Sequence, residues 1–101
     1  MHMLEGRWKV ALIMKIQENV TRFGKLKAAL PGISEKMLAQ QLRELEQDEL
    51  ICKTIYPEIP PRTEYALTAK GEELHVLLQG MCDWGIRHIA PATEQIITTI
   101  N

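Results

Sequence analysis

Two runs rich in β-branched and aromatic residues, Ile51 to Tyr56 and Thr63 to Leu67, flank a segment that carries Pro57, Pro60 and Pro61. Proline donates no ladder hydrogen bond, so residues 57 to 62 are expected as loop, with Arg62 near its end. The whole reads as a β-hairpin with a stiff tip, and the rest of the chain has helical spacing. At 101 residues the chain can bury one modest core but not two independent ones, so a single domain over residues 1 to 101 is expected.

Trp8, Ala11, Leu12, Met14 and Ile16 recur three and four apart, which predicts an amphipathic helix over residues 7 to 18. Thr21 is placed to cap a second helix carrying Phe23, Leu26 and Leu30 inward and Arg22, Lys25 and Lys27 mostly outward; Pro31 and Gly32 end it. Ser34 is placed to cap a third, with Leu38, Leu42 and Leu45 as its buried stripe and Leu50 closing the stripe from beyond its end. Thr68 can cap a long last helix with an apolar seam of Leu74, Leu77, Leu78, Met81, Trp84 and Ile86. A further short helix could begin at Pro91.

Apolar residues are 46% and charged residues 25% of the chain, the balance of a folded soluble protein. With no apolar run long enough to span a membrane and no signal or transit sequence, a cytoplasmic location is expected. Cys52 and Cys82 are then expected reduced, each a small buried hydrophobe.

The net charge of −1 hides a polarity: residues 7 to 43 hold eight cations and two acids, residues 44 to 101 four cations and ten acids. One face therefore suits an anionic partner and another turns away from it. At 100° per residue, Lys36, Gln40, Arg43 and Gln47 cluster opposite the leucine stripe of the third helix. On one helix alone that pattern is an ordinary solvated face. Beside the Leu30-Pro31-Gly32-Ile33 turn, the cationic half and the stiff hairpin, it makes a helix-turn-helix (about residues 21–48) with a wing (about 51–67).

The fold class expected is thus mainly α with a small β-hairpin (α+β), a winged helix-turn-helix with terminal dimerisation helices, the dimerisation helix spanning about residues 68–86. In a major groove Arg43 could hold guanine O6 and N7, and Gln40 or Gln41 adenine N6 and N7, each pair worth about 1–3 kcal/mol of discrimination. Lys25, Lys27 and Lys36 are phosphate candidates, Arg22 a further DNA-binding candidate, Ser34 either a cap or a phosphate ligand, and Arg62 a candidate for a narrow minor groove. Leu74, Leu78, Met81 and Trp84 make more apolar seam than one small core can cover, which predicts a homodimer.

LKAALPGISEKMLAQQLRELEQDELI followed by YPEIPPRTEYALTAKGEEL closely resembles the winged-helix regulators of the HxlR family, and GRWKVALI and MCDWG resemble its first-helix and last-helix motifs. The resemblance covers about residues 6 to 85. It implies a prokaryotic transcription factor that dimerises through terminal helices and binds an inverted repeat of double-stranded DNA. Many members carry a Cys-Pro segment before the first-helix motif, some as a sensor of oxidants. Here Met1-His2-Met3-Leu4-Glu5 precedes it, so either this member lacks that thiol or the N-terminus is shortened.

Catalytic chemistry is not expected. Ser34 is the only serine and is explained as a cap, no glycine-rich phosphate loop exists, and His75, Cys82 and His88 do not have metal-ligand spacing. No cofactor or metal is expected, and no membrane partner. A small-molecule effector, in a cavity lined by Trp8, Met81 and Trp84, is an open alternative to those residues making plain core. A winged helix that binds protein instead of DNA is the alternative function.

Overall fold

In the computed structural model, which describes residues 3–88, the chain runs α1 (Met3–Gln17), α2 (Phe23–Ala29), α3 (Glu35–Gln47), β1 (Ile51–Tyr56), β2 (Arg62–Leu67) and α4 (Ala69–His88). The helix expected from Pro91 lies outside the described residues. The fold class is the one expected: four helices and a two-stranded antiparallel hairpin pairing Ile51 with Leu67 and Tyr56 with Arg62. β2 thus starts at Arg62, not Thr63, because Arg62 pairs with the last residue of β1. The Ile59–Pro60 peptide of the tip is cis.

Leu12, Ile13 and Ile16 of α1, Leu26 of α2, Leu38, Leu42 and Leu45 of α3, Ile51 of β1 and Tyr65 of β2 form the core. Phe23, expected in it, is only half-buried at its edge. Burial, and secondarily the Glu46 carboxylate, pushes the Tyr65 phenol above its ordinary pKa.

Helix ends explain how the elements meet. At the end of α3 the Leu50 N–H donates to the Leu45 carbonyl (3.0 Å) and the Glu49 N–H to that of Glu46 (2.9 Å), with Glu49 at φ 61°. That is a Schellman motif with glutamate where glycine is usual. α1 ends the same way, with Asn19 at φ 70° and the Val20 N–H on the Lys15 carbonyl. Glu49→Gly is expected to stabilise the fold by up to about 1–2 kcal/mol by relieving the left-handed residue, read as a higher urea midpoint; a lower midpoint would contradict this.

Thr68 caps α4 as expected: its hydroxyl accepts from the Gly71 N–H (3.0 Å) and donates to the Glu49 carbonyl (2.6 Å). Thr21 does not cap α2. The N-cap position is Arg22, which makes no side-chain cap, and the Thr21 carbonyl instead accepts from the Tyr65 N–H (2.9 Å) while Arg22 bridges to Glu64. The approach to α2 is therefore extended chain laid along β2.

Candidate nucleic-acid interface

The turn between α2 and α3 closes through the Ile33 N–H on the Leu30 carbonyl (3.2 Å), with Gly32 at φ 93°. Pro31 followed by a positive-φ glycine is the chemistry of a type II turn. Ser34 then caps α3, its Oγ accepting from the Met37 N–H at 3.0 Å. Ile33 just before the cap and Leu38 four positions into the helix are both buried, the arrangement of a hydrophobic staple. These contacts fix the entry angle of α3. Ser34→Ala is expected to cost about 0.5–2 kcal/mol in a urea titration, and no loss would mean that the cap does not set the helix.

On α3 the buried stripe is Leu38, Gln41, Leu42 and Leu45, and the opposite face exposes Lys36, Arg43 and Gln47. Gln40 lies half-buried on its flank, where its amide donates to Glu44 (3.1 Å), and Glu44 receives Lys9 of α1 at 2.6 Å. Hydrogen bonds from Lys9 first and Gln40 second hold Glu44 below the usual carboxylate range. The tie between α1 and α3 thus persists in mild acid and is lost only as pH falls through that lowered pKa.

Gln41 cannot read a base. It is 0% exposed, its amide donates to the Met37 sulfur at 3.5 Å, and its Oε1 accepts no hydrogen bond among the described residues. Of the two glutamines expected as alternatives, only Gln40 borders the exposed face.

Lys25 of α2 is exposed and Lys27 half-buried. Among the described residues, Lys25, Lys27, Lys36 and Arg43 make no ion pair. The wing differs. Arg62 is folded back: its guanidinium stacks on Tyr56 at 4.2 Å from the ring centre, Nη2 lies 3.3 Å from Glu58 and Nε 3.1 Å from Glu64. The Nε–Glu64 pair lacks hydrogen-bond alignment, so it is an ion pair only. Glu64 also faces Arg22 at 3.8 Å. The structure therefore leaves Lys25 and Lys27 of α2 and Lys36 and Arg43 of α3 without carboxylate partners among the described residues, while it binds Arg22 and Arg62 to carboxylates of the wing. Neither Glu58 nor Glu64 was expected at the site from the sequence. The signal was available, since residues 62 and 64 share one face of a strand.

The seam of α4 divides. Leu74 and Leu78 pack against the chain's own core, whereas Leu77 (66%), Met81 (70%) and Trp84 (52%) are exposed. Ile86 is exposed too, but about 160° around the helix from Trp84 is not the same seam. Met81 and Trp84 are thus exposed, while Trp8 packs partly buried against the core. Both cysteines are exposed, not buried: Cys52 points outward from β1, and Cys82 lies off the core-facing side of α4.

A profile of the HxlR-like helix-turn-helix matches residues 3–93. The chain belongs to the HxlR-like helix-turn-helix family. It is 40% identical over 80 residues to an HTH-type transcriptional regulator of Methanothermobacter thermautotrophicus, an alignment covering 79% of this chain and 61% of that relative. The chain thus spans under two thirds of that relative's length. Among solved structures it is similar to a MarR-family transcriptional regulator of Enterococcus faecalis (TM-score 0.81, 36% identity, 88% of this chain and 81% of that one). The transcriptional regulator YodB of B. subtilis in its reduced form is also similar (TM-score 0.75, 36% identity, 84% and 83%). The four helices and the antiparallel hairpin fit the winged helix-turn-helix fold class of this family. No helix among the described residues is long and apolar enough to cross a membrane.

Proposed function

We propose that this HxlR-like protein is a sequence-specific regulator of transcription that binds an inverted repeat of double-stranded DNA as a homodimer. Each copy lays α3 in a major groove, and the half-sites lie about one helical turn, or a multiple, apart. The observation that carries the reading is the α3 face itself, where Lys36 and Arg43 stand exposed and, among the described residues, without ion pairs, as does Lys25 of α2. Arg43 is the base reader, able to donate to guanine O6 and N7 together. Lys25, Lys27 and Lys36 neutralise phosphates, and Gln40 reads adenine only by releasing Glu44. Ser34 acts through its cap, by presenting the start of α3.

Dimerisation rests on α4, where Leu77, Met81 and Trp84 project one apolar edge beyond the core. Tryptophan is enriched among the few interface residues that contribute about 2 kcal/mol or more to association. Trp84→Ala with Met81→Ala is therefore expected to weaken the dimer at least about thirtyfold, read by sedimentation at micromolar concentration. A wild-type monomer under those conditions would overturn the homodimer.

Selection from a random duplex pool tests the function: an enriched inverted repeat supports it. No enrichment, together with unchanged capture of a protein partner by Lys36→Glu with Arg43→Glu, would replace it with a protein-binding role.

A further inference from the structure

Arg62 of the wing and Arg22 at the start of α2 are paired with carboxylates, whereas, among the described residues, Lys36 and Arg43 on the exposed face of α3 have no such partner. β2 alternates, so Tyr65 and Leu67 turn to the core side while Arg62 and Glu64 share the outer face. Cross-strand register sets Arg62 opposite Tyr56, on whose ring it stacks. The backbone bridge of Arg22 to Glu64, with the Tyr65 N–H on the Thr21 carbonyl, brings the approach to α2 against the same strand. Glu64 consequently stands between two arginines, 3.8 Å from Arg22 and 3.1 Å from Arg62, and Glu58 takes the far side of Arg62 at 3.3 Å. All four side chains are between about a third and a half exposed. Ion pairs that exposed contribute little to folding, so stability alone does not account for two carboxylates at this place.

We propose that Glu64, assisted by Glu58, is a specificity-determining residue: it neutralises Arg22 and Arg62 and so suppresses attachment to phosphate backbone regardless of base sequence. This rests on the DNA-binding reading above. Non-specific affinity scales with the number of phosphates that free cations can neutralise, whereas discrimination comes from base edges. Masking Arg62 of the wing and Arg22 at the start of α2 while leaving Lys36 and Arg43 of α3 bare therefore lowers the sequence-independent part of binding and spares the sequence-dependent part. A phosphate in the correct register on a cognate site can still displace Glu64, because the pairs it replaces are solvent-exposed and weak.

The test compares Glu64→Gln, which keeps the shape of the side chain, with Glu58→Gln, which touches only Arg62, and with Glu73→Gln, an exposed acid of α4 that makes the same change in net charge. Circular dichroism melts establish that each is folded. The readouts are affinity for scrambled duplex DNA across a salt series and elution from heparin, a polyanion without bases. Glu64→Gln is expected to bind scrambled duplex several-fold more tightly at low salt, with a slope of log affinity against log salt steeper by about 0.9 for each arginine freed, up to two. Its ratio of cognate to scrambled affinity falls. Glu58→Gln gives a smaller change of the same sign, and Glu73→Gln neither steepens the slope nor lowers the ratio.

A Glu64→Gln protein that behaves like Glu73→Gln, or binds all DNA more weakly because its arginines are no longer held in place, overturns the proposal. Heparin separates the two levels of the account. If the wild type selects no DNA sequence yet Glu64→Gln elutes later than Glu73→Gln, the masking stands and the DNA-binding reading fails. If the wild type selects a site and the two variants elute together, the masking alone fails.

Discussion

Gly71→Ala is expected to destabilise the fold by about 2–4 kcal/mol, read as a fall in the urea midpoint at constant slope. Gly71 lies in the first turn of α4, where a Cβ would land on the carbonyl oxygen of Leu50 and 3.0 Å from its carbon. Both are backbone atoms and cannot swing aside. Helix propensity works the other way, favouring alanine by about 1 kcal/mol, so the sign depends on the clash. To make room α4 must retreat from Leu50. That retreat pulls the Thr68 N–H off the Leu50 carbonyl (3.1 Å) and the Thr68 hydroxyl off that of Glu49. Gly80→Ala supplies the control: among the described residues nothing lies within 4 Å of a Cβ there, so within one copy propensity acts alone and a gain of up to about 1 kcal/mol is expected at concentrations where the protein is monomeric. If Gly71→Ala proved as stable as Gly80→Ala, α4 would not sit on Leu50 as described. The joint has a functional side too, because it connects the end of α3 to the helix proposed to pair the two copies. Its angle then sets how the two recognition helices meet successive grooves.

Arg43→Ala is expected to remove about 1–3 kcal/mol of discrimination at one base pair of each half-site, a loss of up to roughly a hundredfold at that position. Affinity for scrambled duplex should change far less. Lys25→Ala is expected to do the converse, weakening cognate and scrambled DNA alike and reducing the salt slope by about one unit. Both side chains are exposed and make no ion pair among the described residues, so neither change leaves a buried charge without a partner. Equal losses on all sequences from Arg43→Ala would remove its base-reading role.

Local chemistry made much of this legible in the sequence. Ser34 and Thr68 were readable as caps because a cap bond is made within three residues, and both bonds are present. The Pro-Gly turn and the length of β1 followed from residues that act on their own backbone. Thr21 looked equally good as a cap, but its carbonyl is claimed by Tyr65, 44 positions away, and no local rule sees that partner. Gln41 departs from the base-reading expectation because Leu38, Gln41, Leu42 and Leu45 follow the i, i+3, i+4, i+7 spacing of a buried stripe, so position outweighs the polarity of its amide. The cysteines are the converse, apolar in character but exposed, since Cys52 belongs to a strand whose middle faces outward and Cys82 to a helix that runs past its core. How far α4 extends beyond that core, leaving Met81 and Trp84 exposed while Leu74 and Leu78 pack, depends on tertiary placement that periodicity does not carry. The masking of Arg22 and Arg62 needed the strand register before it could be seen.

The central claim is that Arg43 reads a guanine from the exposed face of α3. The most direct measurement takes the selected site and replaces each guanine in turn by 7-deazaguanine, which lacks the N7 acceptor, with affinities measured for the wild type and for Arg43→Ala. The account predicts one position per half-site where the replacement weakens the wild type but leaves Arg43→Ala unaffected, so the two losses are not additive. Additive losses at every guanine would mean that Arg43 touches the N7 of none of them, and its base-reading role would fall.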